Sequence, residues 1–307
     1  MHAAELDDSY TTLNDSIEKY LLSQPDKSLI YAKQLLTKAI QEDNDNQIAK
    51  GLASVSRSYF LLKDYENAQL EAKNHLRHVK NLDDIELLIG SLLLNSEVEI
   101  MLTNIDLSHE LLLDALQIAD SLNSDLYRET ILSKLSGFYD LSGQLEKAVE
   151  MRKQSLYILE NRSIDSNYTA VTKFQTVVYS YAVLAASFLK IDQIDSAKSY
   201  NEKVKLLAEE KDTCKLIYYY NIKGDILLKE GQYEKAEAAY QKSLYYCPPD
   251  YPLFDLNMAF RFGKVAYGLR NYERTIEILD NGLENYTVSE AEEAYMDEYY
   301  KLLADSY

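Results

Sequence analysis

Tryptophan is absent from this chain of 307 residues, and cysteine (2), proline (4) and glycine (9) are scarce. Few prolines and glycines leave few places where a helix must break, so the chain is expected to be helical with tight turns. Two cysteines, Cys214 and Cys247, do not make a disulfide framework and read as two inert thiols. Basic residues are in deficit, with 32 Lys and Arg against 50 Asp and Glu, a net charge of −18. That deficit argues against nucleic-acid binding, which needs clustered cations on phosphates. It argues equally against docking on an anionic membrane surface. The acidity reads as a solvated surface, with attraction of a basic partner as the alternative. No apolar run reaches the length of about 18 residues that marks a membrane-spanning helix.

Chemistry-bearing motifs are also missing. The sequence has no P-loop, no G-x-G-x-x-G and no G-x-S-x-G. Of the four histidines, His75 and His78 are three residues apart, but no Cys or acidic ligand completes a metal site at matching spacing, so both read as solvated surface residues. The many carboxylates read as a solvated face rather than an acid/base pair. No catalytic residue, metal site or cofactor is expected, and the chain is read as a non-enzyme.

What is present is a repeat. Ser28, Ala68, Ser108, Ala148, Ala197, Ala236 and Thr275 follow one another at spacings of 40, 40, 40, 49, 39 and 39. Three residues before each stands Pro25, Tyr65, Ile105, Leu145, Ile194, Tyr233 or Tyr272, and eight after six of the seven stands a leucine. Apolar residues recur at helical spacing on both sides of each small residue. The pattern predicts seven helix pairs whose second helices begin near those preceding residues. A period of 39–40 predicts lengthened helices rather than long loops, because turn-forming residues are so few. The polar stretch Asn161–Asn167 predicts a longer loop in the 49-residue interval, dividing an array over 1–160 from one over 161–307, unless both form one continuous solenoid. Ser289–Tyr307 predicts a last helix matching the first helix of an eighth pair.

Ile217–Pro249 shows the motif most fully: a Gly in the first helix (Gly224), Gly231-x-Tyr233-x-x-Ala236 over the turn, the aromatic Tyr240, and a closing Pro248-Pro249. This stretch resembles the tetratricopeptide repeat (TPR), although Lys223 stands where Leu is usual. The resemblance implies an all-α, right-handed superhelical α-solenoid of about seven TPR-like helix pairs plus a C-terminal helix. It also implies a function in binding proteins or peptides. First helices should line the concave face and second helices the convex one.

On that concave face the early pairs offer Lys50, Arg57, Phe60 and Glu97, and the middle pairs Lys134, Asp140 and Tyr179. The last pairs offer Tyr218, Asn221, Asp225, Asn257, Phe260, Arg261, Lys264 and Tyr267, which mix aromatics with both charge signs and form the candidate peptide site. Half-buried packing between helices is the competing reading of these tyrosines. The clamp by which some TPR arrays hold the C-terminal carboxylate of heat-shock chaperones is not met, since the corresponding positions hold pairs such as Leu13 and Ile17, Ala53 and Arg57, or Asn221 and Asp225.

The chain also looks like the divergent TPR ectodomains of Bacteroidetes-type signalling proteins. That implies the sensory region of a larger bacterial signalling or transcription-regulatory protein. Ala3-Ala4 reads as the remnant of a signal-peptide cleavage site, which would place the chain outside the cytoplasm; a native start at Met1 would leave it cytoplasmic. A free-standing cytosolic adaptor or peptide-responsive regulator is the alternative. The expected partner is a protein or peptide, with no nucleic acid, no membrane insertion within these residues, and dimerisation open.

Overall fold

The computed structural model describes residues 2–163, 169–246, 256–285 and 296–307, with side chains from residue 9 onward. Among these the chain is all-α. The helices are α1 (His2–Leu21), α2 (Pro25–Gln41), α3 (Asp45–Leu61), α4 (Tyr65–Val79), α5 (Ile85–Met101) and α6 (Ile105–Ser121). They continue as α7 (Asp125–Leu141), α8 (Leu145–Asn161), α9 (Ala170–Lys190), α10 (Ile194–Lys211), α11 (Leu216–Lys229) and α12 (Tyr233–Tyr245). Last come α13 (Leu256–Gly268), α14 (Tyr272–Asn285) and α15 (Met296–Ala304), with a 3-10 turn at Thr213–Lys215. Every second helix, from α2 to α14, begins at the residue that the repeat register marks. Cys247, Pro248-Pro249, residues 252–255 and 289–295 lie outside the described residues, so Cys214, exposed and free, is described alone.

The chain divides into two compact units, 1–135 and 136–307, the division falling inside α7. The polar stretch expected to form the boundary starts at Asn161, the last residue of α8, and runs into 164–168, outside the described residues. Within each unit, first helices touch the next first helices: α1 with α3, α3 with α5, α9 with α11 and α11 with α13. They form the inner layer.

The turns are short because backbone hydrogen bonds close them. Lys63 N–H donates to Phe60 O (3.0 Å) and Asp64 N–H to Tyr59 O (3.0 Å), the paired 5→2 and 6→1 bonds of a Schellman cap. The same pair recurs at Thr103/Asn104, Gly143/Gln144, Asp192/Gln193, Gly231/Gln232 and Arg270/Asn271. The first residue of each pair has φ between 59° and 73°, the left-handed region that glycine enters freely and other residues at a cost of about 1 kcal/mol. For β-branched Thr103, at φ 61°, this is an outlier.

The helices of a pair meet at the small residues. Ser28, Ala68, Ser108, Ala148, Ala197, Ala236 and Thr275 are all fully buried. Twelve residues before the last six of these stand Ser56, Ser96, Ser136, Ala185, Gly224 and Gly263, all buried and all small. Serine at a crossing adds a bond across the pair from either side: Ser56 Oγ of the first helix donates to Ala68 O (2.8 Å), and Ser108 Oγ of the second helix donates to Ser96 O (2.9 Å), while Ser96 Oγ itself donates to Leu93 O within α5.

Two polar side chains correct expectations. The carboxylates are not all solvated, because Glu99 of α5 is buried to 1% exposure. It is held by Gln69 Nε2 (2.8 and 2.9 Å), Asn104 Nδ2 (2.6 Å) and Lys73 Nζ (3.3 Å), so the charge is buried with the partners such burial requires. His75 is not a surface residue either. It continues the buried stripe Ala68, Ala72, His75, Val79 along α4, where period 3.6 turns it toward the core. Burial first, then Arg57 and His78, push its imidazole down to about 4.

Two outcomes are expected. Thr103→Gly should raise stability by about 1 kcal/mol by relieving the left-handed strain, read as a higher urea midpoint. Since His75 stays neutral when folded but takes up a proton near pH 6.5 when unfolded, its contribution is complete above pH 6.5 and lost as pH falls toward 4, by about 3 kcal/mol. His75→Phe should flatten urea midpoints between about pH 6 and 5 relative to the parent.

Candidate functional site

In the second unit the candidate residues lie along two adjacent first helices. Tyr218, Asn221 and Asp225 recur at steps of three and four on α11, as do Asn257, Arg261 and Lys264 on α13, so each set shares one helical face. The two faces are bolted together by charge. Arg261 Nε and Nη2 donate to Asp225 Oδ1 (3.0 Å) and Oδ2 (3.1 Å) in a bidentate pair, and Arg261 Nη1 donates to Asn257 Oδ1. Tyr240 of α12, fully buried, donates its hydroxyl to Asp225 Oδ1 (2.8 Å). Burial and the Asp225 charge push the Tyr240 phenol far above its usual value, so it remains a donor.

The other candidates divide between packing and exposure. Phe260 is buried under α15, its ring stacked on Tyr299 at 5.4 Å between centroids. Tyr299 is itself fully buried and donates its hydroxyl to Leu279 O (2.6 Å). Lys264 Nζ sits 3.8 Å from the Phe260 ring centroid and 3.6 Å from the exposed carboxylate of Glu298. Burial pulls the Lys264 ammonium below its ordinary value, against the pull of Glu298 and Asp225. Tyr267 and Tyr218 are half-buried, in edge contact with Tyr272 (5.4 Å) and with exposed Tyr179 (6.0 Å). Asn221 Oδ1 is buried without a hydrogen-bond partner among the described residues.

The face therefore combines a neutralised charge pair at its centre with a half-buried lysine, an unsatisfied amide oxygen and two half-buried tyrosine edges around it. Such a face can present donors and aromatic surface to a ligand. Of the earlier candidates, Glu97 pairs with Lys134, and Asp140 with Arg152 and with Lys190 (3.5 Å). Phe60 packs on Tyr65 at 5.6 Å. Lys50 and Arg57 line a pocket in the first unit. Sequence reasoning did not reach Tyr240 as the support of Asp225; its place as the repeat's aromatic signals packing, but its hydroxyl carries no periodic signal. Among the described residues no group of three or more His, Cys, Asp or Glu could hold a metal ion, and no helix is long and apolar enough to cross a membrane.

With this geometry in view, comparison with known proteins defines the class. No protein-family profile matches the chain, and no curated protein matches it. The solved TPR-like repeats of a putative kinesin light chain from Podosopora anserina superpose with a TM-score of 0.55 at 16% identity, over 64% of this chain and 93% of that one. Aspartyl phosphate phosphatase F from Bacillus subtilis superposes at 0.67 and 16% identity, over 92% and 73%. NprR in complex with its cognate peptide NprX superposes at 0.59 and 16%, over 95% and 82%. The fold is that of a TPR-type helical-repeat protein.

The close approach at Gly224 supports this face from behind. A Cβ there would stand 2.2 Å from a ring carbon of Tyr240. Gly224→Val should displace Tyr240 from Asp225 and destabilise by about 2–3 kcal/mol, measured by urea denaturation.

Proposed function

We propose that the chain is a peptide-binding TPR scaffold whose α11–α13 face holds an extended segment of its ligand. The observation that carries this reading is the Asp225–Arg261 bolt, which keeps Tyr218, Asn221, Lys264 and Tyr267 at constant spacing on the inner layer. A face preorganised in this way loses little freedom on binding. The TPR-like structure solved with its cognate peptide favours a peptide over a folded partner. Because Arg261 is already neutralised by Asp225, Lys264 is the cation left to meet an acidic group of the ligand, exchanging the exposed Glu298 for it. The chain acts as a binding module rather than an enzyme, and serves as the sensory or interaction region of a larger bacterial signalling protein.

The test uses an acidic peptide selected from a random library on the intact chain. Lys264→Met keeps the aliphatic stem over Phe260 and removes the charge, so affinity by calorimetry should fall about tenfold with thermal stability unchanged. Selection of no peptide, or equal affinity for parent and variant, removes the reading. Reading the gene past both ends tests the larger-protein part. A downstream membrane helix with an output module is the expected result, and a stop codon soon after Tyr307 with a native start at Met1 overturns it.

A further inference from the structure

In the first unit, α1, α3 and α5 enclose a pocket of about 450 Å³, within the range of roughly 300–1,000 Å³ found for small-molecule sites. Its floor is small and apolar, made by Ala49 and Ala53 of α3 and by Gly90 and Leu94 of α5. Gly90 stands in the middle of a helix, where glycine is about 1 kcal/mol worse than alanine. Several other helix glycines have a packing reason, since a Cβ at Gly51 would strike Leu36 at 2.9 Å and one at Gly263 would strike Leu279 at 2.7 Å, whereas Gly137 of α7 has none. At Gly90 a Cβ would meet no atom within 4 Å. What the missing side chain preserves is the open space of the pocket.

Charge is sorted around that space. Lys50 and Arg57, seven residues apart on one face of α3, are exposed and have no ion-pair partner among the described residues. Asp15 and Glu18 line it from α1, and Glu86 from α5, where it accepts from the Tyr127 hydroxyl. His75 of α4 also lines it, 4% exposed, with both ring nitrogens lacking a hydrogen-bond partner. A buried polar group left unsatisfied costs about 1–3 kcal/mol, which a ligand that pairs it recovers. Cations on α3, acids on α1 and at the start of α5, and an unsatisfied imidazole below them match a zwitterion oriented with its carboxylate toward α3.

We propose that this pocket binds the carboxylate of a free amino acid or of a short peptide, with Arg57 and Lys50 holding the carboxylate, His75 donating from the floor, and Asp15 and Glu18 facing the ammonium group. The site is independent of the α11–α13 face. Two sources of the same chemistry, a free amino acid and a peptide end, are separated by the choice of probe.

The experiment records imidazole resonances of the histidine-labelled intact chain, with His75→Phe assigning the His75 signals. The probes are a mixture of the free amino acids, an equimolar tripeptide library with free carboxylates, and the same library as C-terminal amides. A saturable shift of the His75 signals by either carboxylate probe, at concentrations below about 10 mM, and none by the amides, is expected. The carboxylate probe that saturates names the source. Gly90→Phe, whose Cβ meets no atom within 4 Å and whose ring would occupy the pocket, should keep the helical circular dichroism and abolish the shift, while Lys264→Met should leave it unchanged. Absence of a shift with both carboxylate probes, an equal shift with the amides, or a shift that survives Gly90→Phe overturns the proposal.

Discussion

Everything in this fold depends on two helix backbones approaching closely at one point in each pair. At that point, in six of the seven pairs, a small residue of the first helix faces, twelve positions later, a small residue of the second. Glycine, alanine and serine all serve, and serine adds a hydrogen bond to the facing carbonyl, as Ser56 does with Ala68. A single pair of amphipathic helices cannot cover its own apolar face, so neighbouring pairs must stack on it. The crossing therefore sets the angle at which each pair offers that face to the next.

Polar contacts then link pair to pair at nearly one repeat of separation. Glu97 with Lys134, Asp225 with Arg261 and Glu237 with Arg274 each join residues 36 or 37 apart. Exposed pairs of this kind contribute little to stability. Glu237–Arg274 is also two-pronged and partly buried, but Asp225–Arg261 is in addition backed by the buried Tyr240 hydroxyl. It acts as a positional constraint on the inner layer of the second unit, and the residues around it inherit that order. In the first unit the comparable device is Glu99, whose buried carboxylate ties α4, α5 and the start of α6 together.

How much of this could be read in advance differed residue by residue. The start of every second helix was legible, since a small buried residue and its apolar predecessor recur at constant spacing, and a repeat multiplies a weak signal seven times. Six crossings were legible only at Gly224 and Gly263, because serine and alanine elsewhere do not stand out as punctuation. His75 was misread although its stripe with Ala68, Ala72 and Val79 is helical in period; its polarity outweighed its position. Phe260 was placed on a binding face, but α15 packs over it through Tyr299, a contact no local pattern encodes. Arg261 was read as a cation for a ligand, yet Asp225, a helix pair away, neutralises it.

By itself the sequence determined the helices, their pairing and the type of repeat. These follow from local periodicity and from the steric demand at each crossing, both of which act within about 40 residues. Only the tertiary structure decided which polar groups are free and which are engaged. Whether Arg261, Glu99 or His75 faces water, a counter-charge or an empty space depends on which side chains of the next repeat arrive opposite it, and charge interactions are set by that distance and by burial.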